Sequence, residues 1–114
     1  MNITTTFRQM EGTEAVKSYA ETKIGKLEKF LRQATRADVT LAVDGSEHVA
    51  EVHLRSGPIH LHGSERSGDM YASLDLVADK LERQIRSVHG HEVRRRRRSA
   101  MKTHDFAAAL ERTR

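Results

Sequence analysis

The strongest structural pattern in the chain lies in residues 68–98, GDMYASLDLVADKLERQIRSVHGHEVRRRRR. Apolar side chains recur there at steps of three and four residues, which places them on one stripe of an amphipathic helix. The members of this stripe are Met70, Leu74, Val77, Leu81, Ile85 and Val88. Asp69 can cap the first turn by accepting from its free N–H groups, and Gly90 is a signal for the C-terminal end. The pattern therefore predicts a helix that begins after Asp69 and ends near Gly90.

Basic residues accompany this stripe. Lys80, Arg83 and Arg86 follow one another at steps of three, which places them on the flank beside the apolar side chains. The chain then continues into an arginine run that consists of Arg94, Arg95, Arg96, Arg97 and Arg98. A helix that packs by its apolar side and carries a cationic flank is suited to a large anionic partner.

The composition favours nucleic acid as that partner, since each phosphate that a basic side chain neutralises releases a counterion. Aromatic residues make up only 4% of the chain, so stacking on the bases of single strands contributes little. We therefore expect recognition of folded RNA by its shape and backbone. A localisation-type or heparin-type patch and a solvating tail remain alternative explanations of the arginine run.

The chain of 114 residues is long enough for one domain with one modest core. It contains no cysteine, which excludes a disulfide framework and thiolate chemistry. No apolar run approaches the ~20 residues of a membrane span, and the start MNITTTF lacks the plan of a signal peptide. We expect a cytoplasmic protein without a membrane partner.

The positive charge of the chain is concentrated at its C-terminal end. Residues 1–91 carry twelve Lys and Arg against thirteen Asp and Glu, a net charge of −1. Residues 92–114 carry eight against three, a net charge of +5. We therefore expect a folded domain over residues 1–91 and a basic, flexible tail over residues 92–114. RNA binding by the domain must depend on how its charges are arranged.

The N-terminal third predicts a strand followed by a helix. Residues 2–8 alternate with a period of two, which is typical of a strand with one buried side. Thr13 can cap a helix over residues 14–32. Within this helix the acidic residues lie on one side and the basic residues on the other. The acidic set is Glu14, Glu21 and Glu28, and the basic set is Lys23, Lys26 and Lys29. An ordinary solvated helix is the alternative, but the sorting of the two signs favours a binding surface.

Three short strands with tight connections follow the first helix. Turn signals stand at Asp44-Gly45 and at residues 56–58, and residues 63–68 are expected to form a loop. Consecutive strands with short connections form an antiparallel meander. The predicted fold is thus an α+β two-layer sandwich, β-α-β-β-β-α, with two helices on one face of a four-stranded sheet.

The sequence contains no enzyme motif, so we expect neither catalysis, nor a cofactor, nor a small-molecule substrate. His53, His60 and His62 are expected on the polar face of the sheet, with His53 opposite His60. Together with Glu51 they have the side-chain types of a zinc site. A polar, half-solvated face is the favoured interpretation, because cross-strand neighbours need a supporting shell to reach tetrahedral geometry. We expect no metal, and the role of these histidines stays open.

The second helix carries a family resemblance. Its motif DMYASLD, residues 69–75, followed by Lys80-Leu81 and Gln84-Ile85, resembles the ribosome hibernation promoting factor family, which includes the ribosome-associated inhibitor proteins. The similarity extends over residues 1–90. It implies the same α+β fold, which is similar to the double-stranded-RNA-binding domain with an extra strand.

The resemblance also implies a function. In this family the protein occupies the channel of the small ribosomal subunit where tRNA and mRNA would lie, and it stops translation by steric block in stationary phase or under stress. The implied partner is the small subunit and its ribosomal RNA, and the protein is a monomer off the ribosome. We expect the phosphates to contact Lys23, Lys26, Lys29, Lys80, Arg83, Arg86 and the arginine run, with the two helices forming the walls of one cationic groove.

The C-terminal end departs from the longer members of the family, which carry a separate domain that pairs two ribosomes. Too few residues follow Gly90 for such a domain, so we expect the short form; whether it promotes ribosome dimers stays open. The inducing signal is also open. Two alternative functions remain: a free-standing double-stranded RNA-binding protein, and a protein-interaction module or transcription modulator. The second would need an exposed apolar patch, for which Leu76 is the candidate.

Overall fold

The computed structural model of the chain describes residues 1–104, and it describes side chains up to residue 88. The order of elements is the predicted one, with a short 3-10 segment after the first helix. The elements are β1 (Asn2–Arg8), α1 (Glu14–Gly25), the 3-10 segment (Lys26–Phe30), β2 (Thr35–Asp44), β3 (Glu47–Ser56), β4 (Ile59–Ser67) and α2 (Met70–His104).

The four strands form one mixed sheet in the order β1-β2-β3-β4. β1 runs parallel to β2, while β2, β3 and β4 form the predicted antiparallel meander. Both hairpins turn through two-residue loops that begin with a glycine at positive φ, 63° at Gly45 and 58° at Gly57. A residue with a Cβ adopts these angles at a steric cost, which is why both tight turns use glycine there.

Both helices pack on one face of the sheet, as predicted, and enclose a single core. Helix α2 packs chiefly on β4 and β3 and also contacts α1. Its stripe from Met70 to Ile85 is buried against the inward side chains of the strands, such as Val39, Leu41, Val52 and Leu54, while Val88 is half-buried. Within residues 1–104, the other face of the sheet carries no helix and presents polar side chains, a common arrangement for antiparallel sheets. The α+β two-layer sandwich is thus confirmed.

Side-chain caps fix where both helices begin. The Thr13 hydroxyl accepts a hydrogen bond of 3.2 Å from the Val16 amide at the start of α1. The Asp69 carboxylate accepts one of 3.3 Å from the Ala72 amide at the start of α2. Each cap satisfies an amide that would otherwise lack a partner in the first turn. Both N-terminal predictions are therefore confirmed.

The first helix ends earlier than residue 32, where the sequence pattern placed its end. The α-helical winding stops at Gly25, the chain tightens into the 3-10 segment, and Leu31 is already extended. A 3-10 helix has three residues per turn, so Leu27 and Phe30 fall on the same side. Leu27 within this segment and Leu31 directly after it are both buried in the core, although the α-helix has ended.

The predicted loop over residues 63–68 is also wrong, because β4 continues to Ser67. The inward position at the centre of this strand is Gly63, and α2 passes directly over it. A Cβ at Gly63 would lie 3.2 Å from Val77 Cγ2 and 3.5 Å from Leu81 Cδ2. Glycine therefore allows the helix to approach the strand, and its missing side chain hides the period-two pattern.

The second helix does not end at Gly90. Its backbone continues to His104, so it includes the arginine run. Arginine is a favourable helix former, whereas one interior glycine costs only about 1 kcal/mol relative to alanine. The separation of residues 92–114 as a distinct tail stays a prediction, and residues 105–114 lie outside the described part. Within residues 1–104, no helix is both long and apolar enough to cross a membrane.

The buried stripe gives a direct stability prediction. Leu81 is fully buried, whereas Leu76 is 46% exposed on the same helix. Leu81→Ala should lower the free energy of unfolding by about 2–5 kcal/mol, since a buried leucine loses its transfer free energy and leaves a cavity. Leu76→Ala should cost well under half as much. Chemical denaturation of both variants measures the difference, and equal losses would contradict the assignment of the buried face.

Candidate nucleic-acid interface

The lysines of the first helix reach the surface in two different ways. Lys23 belongs to α1, and its Nζ lies 3.2 Å from Asp75 Oδ1 on α2. Lys26 and Lys29 belong to the 3-10 segment and are exposed. Because side chains at i and i+3 eclipse in a 3-10 helix, these two lysines point to the same side. The structure thus aligns Lys26 with Lys29, while Lys23 is held against α2.

Phe30 brings a cation from each helical element together. Lys29 Nζ lies 5.1 Å from the centroid of its ring, and the Arg86 guanidinium lies 5.5 Å from it. Both distances are within the range of a cation–π interaction. Arg86 is also paired with Glu82 at 3.3 Å. We call Lys23, Lys26, Lys29 and Arg86 the seam group, since they lie along the seam between α2 and the first helix.

Lys80 and Arg83 occupy a different part of the surface. Lys80 Nζ lies 3.8 Å from Glu65 Oε1 on β4, on the side of α2 away from α1. Lys80 and Arg83 line a shallow depression together with Glu65, Gln84 and Ser87. We call these two cations the flank pair. The structure therefore does not show the expected single groove with a cationic wall on each helix: of Lys80, Arg83 and Arg86, it is Arg86 that lies at the seam.

Four of these cations already have carboxylate partners within the protein. Lys23 is paired with Asp75, Lys80 with Glu65 and Arg86 with Glu82, as described above. The fourth pair joins Arg83 to Asp79 at 3.4 Å. All four pairs are at least partly exposed, and exposed ion pairs stabilise a protein by only about 0–1 kcal/mol. A phosphate oxygen can therefore replace each carboxylate at low energetic cost.

A polar cluster that the sequence did not reveal crosses the seam. The Tyr19 hydroxyl donates a hydrogen bond of 2.6 Å to Asp75 Oδ1, the oxygen that Lys23 also approaches. Tyr71 packs edge-on against the Tyr19 ring at 4.9 Å between centroids. Asp75 lies in the DMYASLD motif, but nothing in its spacing shows that Tyr19, 56 residues earlier, meets it.

This cluster shifts the protonation equilibria of its members. The hydrogen bond from Tyr19, aided by the Lys23 ammonium, holds the pKa of Asp75 below its ordinary value. The same hydrogen bond raises the pKa of Tyr19, because ionised tyrosine could not donate to the carboxylate. The hydrogen bond with Asp75 likewise raises the pKa of Lys23. Asp75 therefore stays charged and holds Lys23 and Tyr19 across the seam.

The open face of the sheet carries further cations that the sequence analysis overlooked. Arg36 on β2 is the register partner of Arg55 on β3, which in turn faces His60 on β4. Like charges directly opposite each other in a sheet are destabilising. Arg36 is 3.7 Å from Asp38, which relieves part of this repulsion. These residues occupy outward positions in the period-two pattern of their strands, and this pattern indicates that they lie on the same face of the sheet.

Two other expectations have different outcomes. His53 faces His62 and not His60, because the β3–β4 register pairs residues 53 and 62. The arginine run, Arg94 to Arg98, lies in the backbone of α2, but its side chains are outside the described part, so its role in RNA binding stays a prediction. Leu76 is exposed as expected, and Tyr71 is the second exposed large apolar side chain of the described residues.

Fold and surface together define a small α+β protein with a mixed four-stranded sheet and basic side chains on its helical layer. Residues 3–92 match the family described as Sigma 54 modulation protein / S30EA ribosomal protein. The chain belongs to this family, and the resemblance inferred from the second helix is confirmed.

Curated relatives agree with this assignment. The chain is 33% identical over 85 residues to the ribosome hibernation promoting factor of Salmonella typhimurium, an alignment that covers 75% of the chain and 90% of the relative. It is 38% identical over 97 residues to the ribosome hibernation promotion factor of Lactococcus lactis. That alignment covers 82% of the chain but 52% of the relative, so the chain spans about half of this longer protein.

Solved structures show the same architecture. The N-terminal domain of Thermus thermophilus protein Y superposes with a TM-score of 0.72 at 29% identity, covering 77% of the chain and 99% of that domain. A ribosomal subunit interface protein from Coxiella burnetii gives a TM-score of 0.69 at 17% identity, covering 79% and 99%. The second likeness shows the fold alone.

The seam cluster predicts a specific effect of Tyr19→Phe on Asp75. The Tyr19 hydrogen bond holds the pKa of Asp75 below its ordinary value, and losing the Tyr19 hydroxyl should raise it toward that ordinary value. Because the folded pKa is lowered, the stability due to this carboxylate is present above the unfolded pKa and is lost as the pH falls through the folded pKa. Because Tyr19→Phe reduces the difference between the folded and unfolded pKa, the variant should have less of this stabilisation to lose as the pH falls.

An NMR titration of the Asp75 carboxyl measures this shift. Tyr71→Phe is the matched control, because it removes a hydroxyl of the same ring pair and keeps the Tyr19–Asp75 hydrogen bond. An ordinary Asp75 pKa in the parent, or an equal rise in both variants, would contradict the assigned contact.

Proposed function

We propose that this protein is a cytoplasmic ribosome hibernation factor that binds the small ribosomal subunit and inhibits translation by occupying the tRNA/mRNA channel. The observation that carries the proposal is the family match over residues 3–92, together with relatives named for ribosome hibernation. Occupation of the channel is a steric effect and needs no catalytic group. Idle ribosomes are thereby held intact, and off the ribosome the protein is a monomer.

The helical layer supports an RNA partner through the placement of its cations. The seam group and the flank pair lie on different sides of α2, so they can meet phosphates of different backbone segments. Contacts to phosphates set the orientation of a protein on RNA without reading its sequence. Two separate groups of contacts fix this orientation better than a single row, because they resist rotation about the helix axis.

The charge balance of the domain also supports this mode of binding. Residues 1–91 have a net charge of −1, so general attraction to RNA is weak and the local groups must supply it. The paired carboxylates reduce the attraction of the free protein for RNA in general. A site that offers phosphates at the spacing of both cation groups is then favoured over bulk RNA.

Charge reversal in both groups tests the proposal. Lys26 of the seam group and Arg83 of the flank pair are exposed, so replacing both by glutamate should leave the fold intact. The double variant Lys26→Glu/Arg83→Glu should fail to co-sediment with ribosomes in a sucrose gradient and should not inhibit translation in vitro. Inhibition equal to that of the parent would overturn the assigned interface.

The open sheet face provides a matched control with the same change in charge. Arg36→Glu/Arg55→Glu makes that change on the open face and keeps the cross-strand pair like-charged. Circular dichroism checks that this variant is folded, because it also loses the Arg36–Asp38 ion pair. It should still bind ribosomes at physiological salt. An equal loss of ribosome binding in both double variants would show that binding depends on total charge. If the parent protein is spread over bulk RNA instead of sedimenting with ribosomes, the protein is a general double-stranded RNA binder.

The arginine run is tested by the salt dependence of binding. If its guanidinium groups contact phosphates, truncation after Val93 should reduce the slope of log affinity against log salt by roughly 0.7–0.9 per lost contact. Three to five contacts would change the slope by about 2–4 units. The truncated protein should still reach its site through the two helical groups. An unchanged slope would show that the run does not touch RNA.

A further inference from the structure

A cluster of three metal-ligating side chains lies on the open face of the sheet. Glu51 and His53 are two residues apart on β3, so they project from the same face. His62 on β4 is the register partner of His53. All three are at least partly exposed. No residue of the two cation groups takes part, and the proposed ribosome interface leaves this cluster unexplained.

The side chains of this cluster converge. His62 Nε2 lies 3.2 Å from one oxygen of the Glu51 carboxylate, and His53 Nε2 lies 3.9 Å from the other. One potential ligand atom from each of the three residues lies within 4.8 Å of the other two. The two imidazole rings stack with centroids 4.3 Å apart and planes at 29°, so their Nε2 edges face the same carboxylate.

These distances are close to those of a metal site. With bonds of 2.0–2.1 Å, two ligand atoms of a tetrahedral zinc ion are about 3.3 Å apart. The Glu51 contacts at 3.2 and 3.9 Å lie near this value, so small side-chain rotations can bring all three atoms onto one ion. The sequence predicts no metal, because cross-strand neighbours need a supporting shell to reach tetrahedral geometry. The observed convergence of these three side chains favours a metal site instead.

We propose that Glu51, His53 and His62 form a binding site for a divalent transition metal ion of the zinc type. Two neutral imidazoles and one carboxylate supply three ligands, and water completes the coordination. Asp38, the register partner of His53 on its other side, adds negative charge beside the site. The strands that carry the ligands form the centre and one edge of the sheet, so their backbone is held in place.

The proposal is tested by titrating the full chain with Zn²⁺. Because the chain has seven histidines, stoichiometry alone does not locate an ion, and single variants are required. His53→Ala and His62→Ala should each weaken Zn²⁺ binding at least tenfold, since even the loss of an outer-shell partner costs about 10–100-fold. His60→Ala is the matched control, because His60 lies on the same face and strand but faces Arg55.

Two readouts separate this site from non-specific binding. In an NMR titration, the ring signals of His53 and His62 should shift together at one equivalent of Zn²⁺, while those of His60 should stay. In the metal-free state all three variants should unfold at about the same temperature as the parent, because the replaced side chains are exposed. Equal Zn²⁺ affinity in all three variants, or no coordinated shift of His53 and His62, would overturn the proposal.

Discussion

The packing of α2 onto the sheet is the constraint on which the other features of the molecule depend. Leu74, Val77, Leu81 and Ile85 are fully buried, so the helix has one permitted rotation about its axis. Fully burying one such side chain contributes about 1.5–3 kcal/mol, far more than any surface ion pair of this helix. The stripe therefore decides where each polar residue of α2 points. Asp75 must face α1, and Gln84 must reach the His62 carbonyl of β4.

The same constraint explains why the basic residues of α2 do not form one surface. Lys80 and Arg86 are six residues apart, which separates them by about 120° around an α-helix. With the stripe buried, Lys80 is directed toward β4 and Arg86 toward Phe30. In the 3-10 segment three residues complete one turn, so the same step aligns Lys26 with Lys29. Basic residues spaced three apart therefore diverge around an α-helix but align along a 3-10 helix.

The sequence predicted the features that depend on local periodicity and capping. The buried stripe of α2, the caps at Thr13 and Asp69, and the alternation in residues 2–8 were all placed correctly. The errors concentrate at glycines. The sequence pattern predicts a loop at Gly63 and a helix end at Gly90, although the first lies beneath α2 and the second within it. A glycine in a sequence is compatible with a turn, with close approach of another element, or with simple tolerance. Only its neighbours in the folded structure show which of these applies.

The histidine cluster depends on the register between β3 and β4, which the apolar periodicity of the strands does not determine. Shifting β4 by two residues against β3 leaves every inward side chain inward, so the apolar pattern cannot choose between His60 and His62 as the neighbour of His53. The turn makes that choice. A loop of Gly57 and Pro58 pairs Ser56 with Ile59, whereas the shifted register would pair Pro58 with Arg55 at the first position of the ladder, where a two-residue hairpin needs an N–H donor. Proline has no N–H to donate to a ladder, so the observed register is the favourable one. Pro58 therefore decides which side chains meet on the open face at the fourth cross-strand pair from the turn, and it is the signal in the sequence for this register.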